Sequence, residues 1–409
     1  RDNVFFTAHA TNRPLPPLGD ESLPQGVVHI ERRRLLWDGL LHESISLKNY
    51  AVALTQLQLT LAYHADFSDT FEVRGERRTR RGEFLPAKVH GKGIELGYRG
   101  LDGVERRTRV MFSTRPTFID EACCRFDLVL NGREDAVLYV EIGPAALDPT
   151  RARFRAAGAA ARRSMRTRRG GGARVRTSAR QFQSWLDRSD ADLALLTTAL
   201  PTGPYPYAGI PWFSTPFGRD AIITALQNLW LKPLLARGVL AYLANHQAHE
   251  TSAFHDAEPG KIMHELRKGE MTATGELPFG RYYGGVDTTP LFVVLAAAYA
   301  RRTADRSFMA QLWPALLKAT DWILRNASRY GGFLSYTRAR ASGLANQGWK
   351  DSHDAIFHED GRTPEGPIAL VEVQGYAVAA LQGMAVLAKW LEHDTEVSPY
   401  PDAGEGWRE

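Results

Sequence analysis

The hydrophobic pattern of the chain changes its period once, and this change constrains the fold more than any other feature. Before residue 150, apolar and polar residues alternate, as in the run 57–64, where three leucines and a tyrosine share one face. Similar alternating runs, separated by Gly, Asp and Pro turns, recur at 109–113, 125–130 and 136–142. A period of two indicates half-buried strands. Several short strands with turns between them predict a β-sandwich over residues 1–150.

After residue 180 the pattern takes the period of helices. Residues 221–232 and 308–326 place apolar side chains on one face, and the second run has charged ones opposite. Residues 291–300 are apolar all round, and 368–391 set Gly and Ala opposite the leucines, which lets another backbone come close. Half-exposed helices beside helices buried on both sides predict two concentric layers. The fold class is therefore multidomain β + α, a β-sandwich followed by an (α/α)6 toroid over residues 181–409.

The predicted toroid is not expected to be complete in this chain. The pattern predicts roughly six helices between residues 180 and 391, which is about half of what such a ring requires. Residues 392–404 are interpreted as a loop between helices, and the sequence begins with Arg instead of Met. We therefore expect a half-barrel that lacks part of its catalytic apparatus.

Residues 151–180 are expected to connect the two domains. This segment contains eleven arginines and no lysine or acidic residue, so the net charge of +5 leaves −6 (+5 minus +11) for the rest of the chain. Its alanine run and glycine triplet suit a solvated connector. The net positive charge of the chain then comes from this linker, and no nucleic-acid partner is predicted. Binding of nucleic acid by this segment, with a steep salt dependence, is the alternative.

Neither a membrane span nor a secreted protein is predicted. There is no run of eighteen apolar residues, and the first residues lack the features of a signal peptide. The two cysteines, Cys123 and Cys124, are adjacent and can build neither a disulfide framework nor a zinc cluster, which favours the cytoplasm. Four of the seven histidines of the second domain, His246, His249, His255 and His264, are close in sequence but lack metal-ligand spacing, so no metal is expected.

The first of four candidate site segments is the loop 205–220, which is rich in aromatic residues, proline and glycine. Rigid loops of this kind commonly line a ligand site. Trp212 and Phe213 offer aromatic faces for a sugar ring, and Arg219 with Asp220 offers charged groups for its hydroxyls. The alternative is that Asp220 only stabilises the first turn of the following helix, with Arg219 as its partner.

The second and third segments lie downstream. In 282–290, Pro290 fits a first helical position and makes Thr289 the natural cap, so Asp287 lies too early to cap and is interpreted as a ligand contact. Helix capping by Asp287 stays open as an alternative. In 258–270, charges alternate in sign, and a solvated loop with internal ion pairs is the simpler interpretation.

The fourth segment, 346–354, is the most informative. Cleavage of a glycosidic bond requires a carboxylic acid beside the leaving oxygen, with its pKa raised by a partly dry, aromatic surround. Asp351, two residues after Trp349, fits this requirement, although the adjacent Lys350 could oppose it. An Asx-type turn, in which Asp351 or Asp354 bonds its own backbone, is the alternative.

These segments resemble bacterial glycogen-debranching-type proteins of the amylo-α-1,6-glucosidase family. The resemblance rests on ADFSDTFEVRGERRTRRGEF and YRGLDG in the first domain, and on AGIPWFSTPFGRD, EPGKIMHELRKGE, GGVDTTPLF, NQGWKDSHD and GPIALVEVQGY in the second. It implies an N-terminal β-domain, an (α/α)6 barrel, and an inverting glycoside hydrolase for α-glucosidic linkages of carbohydrate substrates, without a cofactor.

By position, the resemblance implies that Asp351 is the general acid. It assigns the remaining roles to sugar contacts by Trp212, Phe213, Arg219, Asp220, Asp287, Trp349, Lys350 and Gln374. Glu372 would add a polar contact, or act as the base if its carboxylate lies roughly 6.5–9.5 Å from that of Asp351. A hydrolase of another α-linked disaccharide or glycosylated small molecule, and an inactive sugar-binding fragment, stay open. The sequence does not indicate an oligomeric state.

Overall fold

The computed structural model describes residues 3–18 and 21–393, without the side chains of 15–22. The chain divides into two compact units, Arg1–Arg168 and Arg169–Glu409. This division falls inside the segment 151–180; the domain limits 1–150, 151–180 and 181–409 stay predictions.

The first unit is built of antiparallel strands. Its strands are β1 (Phe6–Thr11), β2 (Leu15–Leu18), β3 (Glu21–Leu23), β4 (Val28–Trp37), β5 (Leu40–Asn49), β6 (Thr55–Ala62), β7 (Glu83–His90), β8 (Gly93–Arg99), β9 (Glu105–Phe112), β10 (Phe118–Ile119), β11 (Cys123–Leu130) and β12 (Asp135–Gly143). Its helices are α1 (Thr70–Val73) and α2 (Arg151–Gly170).

Two sheets enclose the core of this unit. One sheet has the order β1-β4-β5-β12-β9-β8-β7, and the other has the order β10-β11-β6. Strand β6 alternates buried and exposed residues at its start, as its period of two predicted. Ile45 and Phe112 of the larger sheet belong to the same buried cluster as Leu57 and Phe126 of the smaller one. The predicted β-sandwich is confirmed.

The prediction of a solvated connector over 151–180 was wrong for its first two thirds. Residues 151–170 form α2, and the buried residues of this helix are Phe154, Ala157, Gly158, Ala161 and Met165. They recur at helical spacing, and three of them, Phe154, Ala157 and Ala161, pack in one cluster with Leu35, Trp37 and Tyr139 of the larger sheet. The arginines that dominate the composition occupy the remaining faces and hid this narrow apolar stripe.

One arginine of α2 is an internal partner instead of a solvated charge. Arg153 donates to the fully buried Glu141 of β12, with 2.7 Å between Nη2 and Oε1 and 3.1 Å between Nε and Oε2. The backbone amide of Leu147 and the ring of His42 also contact this carboxylate. Burial alone would raise the pKa of Glu141, but the hydrogen bonds and charge of Arg153, with the other two contacts, lower it.

Replacing Arg153 by Met should destabilise the first unit by about 3 kcal/mol, because it leaves a buried carboxylate without its main partner. Since the pKa of Glu141 is lowered on folding, the stabilisation is present above the unfolded pKa and is lost as the pH falls through the folded one. Urea denaturation at pH 7 and at pH 4 measures both effects. Arg155→Met on the exposed side of α2 is the matched control and should change stability by about 0.5 kcal/mol at most. Equal losses in the two variants would contradict this role of Arg153.

The second unit is mainly helical. Its elements are α3 (Arg180–Leu196), β13 (Thr197–Leu200), β14 (Gly203–Pro206), α4 (Gly218–Asn228), α5 (Pro233–Asn245), α6 (Glu270–Ala273), a 3-10 turn (Pro278–Gly280), α7 (Thr288–Thr303), α8 (Arg306–Arg329) and α9 (Val371–Leu391).

The long helices pack in two rows. Helix α7 packs against both α4 and α9, whereas α5 and α8 pack against each other and against α7. Helix α7 is buried over most of its surface, which confirms the prediction from the apolar run 291–300. A β-domain followed by a layered helical region is therefore the observed architecture. The closure of such helices into an (α/α)6 toroid stays a proposal.

Helix α9 shows how a face of small residues is used. A Cβ added at Gly383 would come within 2.8 Å of the Ala297 side chain of α7, so glycine permits this close approach, as predicted. The same face is open at Gly375, where a Cβ would meet nothing within 4 Å. Within the described residues, α9 is the one helix long and apolar enough by composition to cross a membrane. It contributes nine buried residues from Val373 to Leu391, as core helices do.

Candidate functional site

The buried guanidinium of Arg219 joins three of the four predicted segments. Arg219 is the second residue of α4 and is 4% exposed. Its Nη1 donates to Oδ2 of Asp287 at 3.3 Å and to the carbonyl of Gly348, and its Nη2 donates to Oδ2 of Asp351 at 2.7 Å. Its guanidinium carbon lies 5.4 Å from the centre of the Trp349 ring. Residues far apart in sequence are thus brought to one point.

Asp287 stands at the start of α7, but not in the way the sequence suggested. The helix begins at Thr288, which makes Asp287 the N-cap position and places Pro290 third, so the prediction of Thr289 as cap was wrong. The hydroxyl of Thr289 instead accepts a hydrogen bond from the amide of Ile262. The carboxylate of Asp287 makes no capping bond to the helix and turns to Arg219.

The carboxyls nearest to Arg219 differ in their surroundings. Burial raises the pKa of Asp287 and of Asp220, although the positive charge of Arg219 acts in the opposite direction on both. Two buried nitrogens of this region, Nε of Arg219 and Nδ1 of His264, have no hydrogen-bond partner within residues 3–18 and 21–393. Desolvation is the main cause that lowers the pKa of His264 far below its usual range, and the charge of Arg219 is the second. The ring is therefore neutral.

Asp351 does not have the dry surround that we expected. Its side chain is 44% exposed and the Trp349 residue is 57% exposed, because this part of the loop 346–354 lies at the surface. The Asx-turn alternative is not observed for Asp351, since its Oδ2 accepts from Arg219. Lys350, between the two, is exposed. Asp351 therefore combines access to solvent with one buried cationic partner.

The expected solvated loop at 258–270 is in fact mostly buried. Four of its six charged side chains are buried, those of Lys261, Glu265, Arg267 and Glu270, and so is the neutral ring of His264. The predicted internal ion pair exists, with 2.6 Å between Nε of Arg267 and Oε2 of Glu265. Burial is possible because the tertiary structure supplies partners for these charges, which the alternation of signs could not reveal.

This buried segment holds the other segments in place. Residue 265 forms β-bridges to both Phe217 and Tyr282, and the amide of Gly218 donates to the carbonyl of His264 at 2.7 Å. A Cβ at Gly218 would lie 2.1 Å from the carbonyl oxygen of Met263, so only glycine allows this contact. The segment 258–270 is therefore the scaffold on which α4 and α7 begin.

Trp212 and Phe213 lie on the loop before α4 and stay partly exposed, at 39% and 42%. Nη1 of Arg267 donates to the carbonyl of Trp212 at 2.8 Å, which ties this loop to the scaffold segment. The Phe213 ring meets Phe217 edge-on, with 5.9 Å between ring centres. Both rings are accessible, and a sugar contact by either stays a prediction.

Glu372 lies in the first turn of α9. Within the described part of the chain its carboxylate makes no hydrogen bond or ion pair. Burial is the main cause that raises the pKa of Tyr376, and the negative charges of Asp287 and Glu372 raise it further. The ring therefore lies near both carboxylates. The N-terminal ends of α4, α7 and α9 thus meet around Arg219.

Gln374 is occupied elsewhere. Its amide oxygen accepts from the amide of Leu334 at 2.9 Å, and its amide nitrogen donates to the carbonyls of Leu334 and Leu370. In this structure it fixes the loop at residue 334 to the start of α9. The sugar contact that the resemblance implied for Gln374 stays a prediction.

The sequence analysis missed two tyrosines of this region. Tyr376 follows Glu372 by four residues, a helical spacing that could have indicated a shared face. Tyr336 donates its hydroxyl to Oδ1 of Asn346 at 3.1 Å and thereby supports the loop that carries Asp351, for which the sequence gives no signal. Among the residues that the structure describes, no group of three or more His, Cys, Asp or Glu side chains could hold a metal ion.

A β-domain followed by a layered helical region is the class of fold that carries this site. Residues 1–141, about a third of the chain, match the family described as the N-terminal domain of (some) glycogen debranching enzymes. This finding confirms the resemblance for the first unit. A search of curated proteins found no match.

A search of solved structures found one with a TM-score above 0.5 among those compared below. A putative kojibiose phosphorylase from the human microbiome has a TM-score of 0.52 and 11% identity, over 98% of this chain and 55% of that one. A GH78 family rhamnosidase of Bacillus sp. GL1 has a TM-score of 0.40 and 11% identity, over 92% of this chain and 32% of that one. This chain spans about half the length of the phosphorylase, and the first of these similarities supports the fold alone.

Replacing Arg219 by Lys should reduce the free energy of unfolding of the second unit by about 3 kcal/mol. A single ammonium cannot reproduce the fork that reaches Asp287, Gly348 and Asp351 together, and Asp287 would keep a buried, poorly paired carboxylate. Urea denaturation followed by the helical circular dichroism signal measures this change. Arg325→Lys on α8, which donates only to the carbonyl of Pro259 among described residues, is the control and should remain within about 0.5 kcal/mol. Similar values for the two variants would show that Arg219 is not the tie between the segments.

Proposed function

We propose that this chain belongs to a glycoside hydrolase that cleaves α-glucosidic linkages of the α-1,6 type in glycogen-like glucans, with inversion. The observation that carries the proposal is the convergence of Arg219, Asp287 and Asp351 beside the exposed Trp349 ring. An aromatic face for a sugar ring next to charged groups for its hydroxyls is the chemistry that such a substrate needs. The match of residues 1–141 to a domain of glycogen debranching enzymes supports the same substrate class.

Asp351 acts as the general acid in this proposal. Its half-exposed carboxyl can exchange protons with solvent, and Trp349 beside it offers a platform for the ring at the scissile bond. In the structure, Nη2 of Arg219 occupies one oxygen of this carboxyl. We propose that sugar hydroxyls take over this donor when the glucan binds, and that the bound sugar excludes water from Asp351. Asp351 is then free to give its proton to the leaving oxygen.

Glu372 is the proposed base among the described residues. Inversion requires a second carboxylate that activates a water on the opposite face of the sugar, with a gap of roughly 6.5–9.5 Å between the two carboxyl groups. Glu372 has an unoccupied carboxylate and lies near Asp287 through Tyr376, which fits this role. If Glu372 instead contacts only a sugar hydroxyl, the base must come from outside the described residues.

Hydrolysis is favoured over phosphorolysis by the charge of the site. The solved structure of similar fold is described as a phosphorylase, an enzyme class that must bind phosphate beside the sugar. Around Arg219, however, lie the four carboxyl groups of Asp220, Asp287, Asp351 and Glu372, which outnumber its single guanidinium. A phosphate dianion would be repelled there, whereas a neutral water would not.

The remaining parts of the proposal follow from the same residues. The helices of this chain form part of an (α/α)6 ring around the N-terminal ends of α4, α7 and α9, and no cofactor takes part. Cys123 and Cys124 are free thiols, which favours the cytoplasm. Another α-linked disaccharide, a glycosylated small molecule, or sugar binding without turnover are the alternatives that the assay separates.

Asp351→Asn should lower the rate of hydrolysis about 10²- to 10⁴-fold, because the amide cannot donate the proton that the leaving oxygen needs. The rate is measured on a panel of α-glucosides that includes α-1,6 branches, with protein expressed from its own gene, and the anomer released is identified by proton NMR. Asp354→Asn, three residues away and exposed, is the matched control and should keep the normal rate. Near-normal turnover by Asp351→Asn would remove it as the acid. Glucan binding without turnover in the unmodified protein would support the inactive sugar-binding alternative.

Glu372→Gln should abolish most turnover, and sodium azide should restore reaction in this variant. Azide is a nucleophile that needs no base, so it replaces the activated water and yields a glucosyl azide of inverted configuration. Mass spectrometry and NMR of the products detect it. Asp351→Asn with azide is the comparison and should not recover on substrates with poor leaving groups, since it lacks the acid. Full hydrolysis by Glu372→Gln would leave Glu372 with a contact role only.

A further inference from the structure

A cavity of about 170 Å³ lies in the second unit outside the Arg219 cluster. It is lined by the loop 251–261, by the C-terminal part of α8 and by residues 335–339, together with Val286 and Gln347. None of Arg219, Asp287, Asp351 or Glu372 lines it. The proposed reaction therefore does not use this cavity.

Lys261 places a buried ammonium group at the cavity wall. Lys261 is 5% exposed, and its Nζ donates to the carbonyl of Asp256 at 2.8 Å. Nζ also lies 5.6 Å from the centre of the Trp322 ring. In the described part of the chain the other two N–H groups of this ammonium have no acceptor. Since an unsatisfied buried cation is strongly destabilising, polar atoms inside the cavity are needed to accept from it.

The rest of the wall combines acceptors, hydroxyls and aromatic rings. Glu258 accepts from Nε1 of Trp322 at 3.1 Å and from Nη1 of Arg329 at 3.4 Å, which leaves lone pairs on its carboxylate for further donors. Ser252, Thr337 and Tyr330 contribute hydroxyl groups. A cation, a carboxylate, hydroxyls and aromatic rings together match the alternating donors and acceptors of a sugar better than they match an anion.

The volume limits the size of the occupant. Pockets for larger ligands measure about 300–1,000 Å³, and one water occupies about 30 Å³ in the liquid. A cavity of about 170 Å³ is thus too small for an oligosaccharide and large enough for a few waters or one sugar ring. We propose that this cavity is a second carbohydrate site that binds one neutral monosaccharide, with Lys261 and Glu258 holding its hydroxyls.

The cavity also has a structural connection to the Arg219 cluster. Gln347 lines the cavity and donates through Nε2 to Oδ2 of Asp256 at 3.3 Å, while its carbonyl accepts from the amide of Val286 at 2.8 Å. The next residue, Gly348, provides the carbonyl that accepts from Arg219. Through these hydrogen bonds, a sugar in the cavity is connected to the loop that carries Trp349 and Asp351. The choice of glucose as its occupant rests on the proposed function, but the existence of the site does not.

The test is a calorimetric titration of glucose into the intact protein in a Trp349→Ala background, which removes the exposed ring of the proposed active site. In this background Ala253→Trp, at the exposed rim of the cavity, should weaken glucose binding at least 10-fold by filling the entrance. Ala341→Trp, the same change at an exposed position that does not line the cavity, should leave the affinity unchanged. Lys261→Met, checked for folding by circular dichroism, should weaken binding as Ala253→Trp does.

Two results would overturn the proposal. Equal affinity of the Ala253→Trp and Ala341→Trp proteins would mean that the cavity holds water only. Binding of inorganic phosphate in preference to glucose, lost in Ala253→Trp, would mean that the site takes an anion. A failure of hydrolysis in the Asp351 experiments leaves these titrations interpretable, because glucose binding at the cavity is measured without turnover.

Discussion

The second unit depends on the burial of one guanidinium. A buried cation is tolerated only if most of its donors find acceptors, and Arg219 finds them on two other segments, at Asp287 and at Gly348 and Asp351. The start of α7 and the loop 346–354 are therefore held against the start of α4. Since these segments are more than sixty residues apart in sequence, the ion pair fixes a tertiary arrangement that helix packing alone would leave open.

A second set of buried charges makes this arrangement possible. Arg267 pairs with Glu265 and fixes the carbonyl of Trp212, while residue 265 bridges Phe217 and Tyr282. Both the pair and the bridges lie beneath the loop that leads into α4. The charged segment 258–270 thus acts as a rigid support, and most of its polar side chains are bonded to other groups of the protein. Lys261 differs from its neighbours because part of its donor capacity faces a cavity.

The architecture could be predicted from the sequence because hydrophobic period is a local property. The alternation in β6 and the apolar run of α7 indicated the sandwich and the buried helix. The errors arose where partners come from distant parts of the chain. The five buried residues of α2 were hidden among arginines, and one of those arginines, Arg153, pairs with Glu141 of β12. The burial of 258–270 and the solvent exposure of Asp351 likewise depend on contacts that no local pattern contains. For the candidate site, the sequence indicated Arg219, Asp287 and Asp351 but not the bonds between them.

The carboxyl groups around Arg219 fall into two kinds, and this difference suggests a division of roles. Asp287 and Asp220 stand at the starts of α7 and α4, where the helix dipole favours negative charge, but burial raises the pKa of both. Groups so far from water exchange protons slowly with solvent and are better suited to hold hydroxyls in a fixed geometry. Asp351 is half-exposed and Glu372 has no described partner, so both can gain or lose a proton within a catalytic cycle. In the proposed mechanism the accessible pair therefore supplies the acid and the base, and the buried pair orients the sugar.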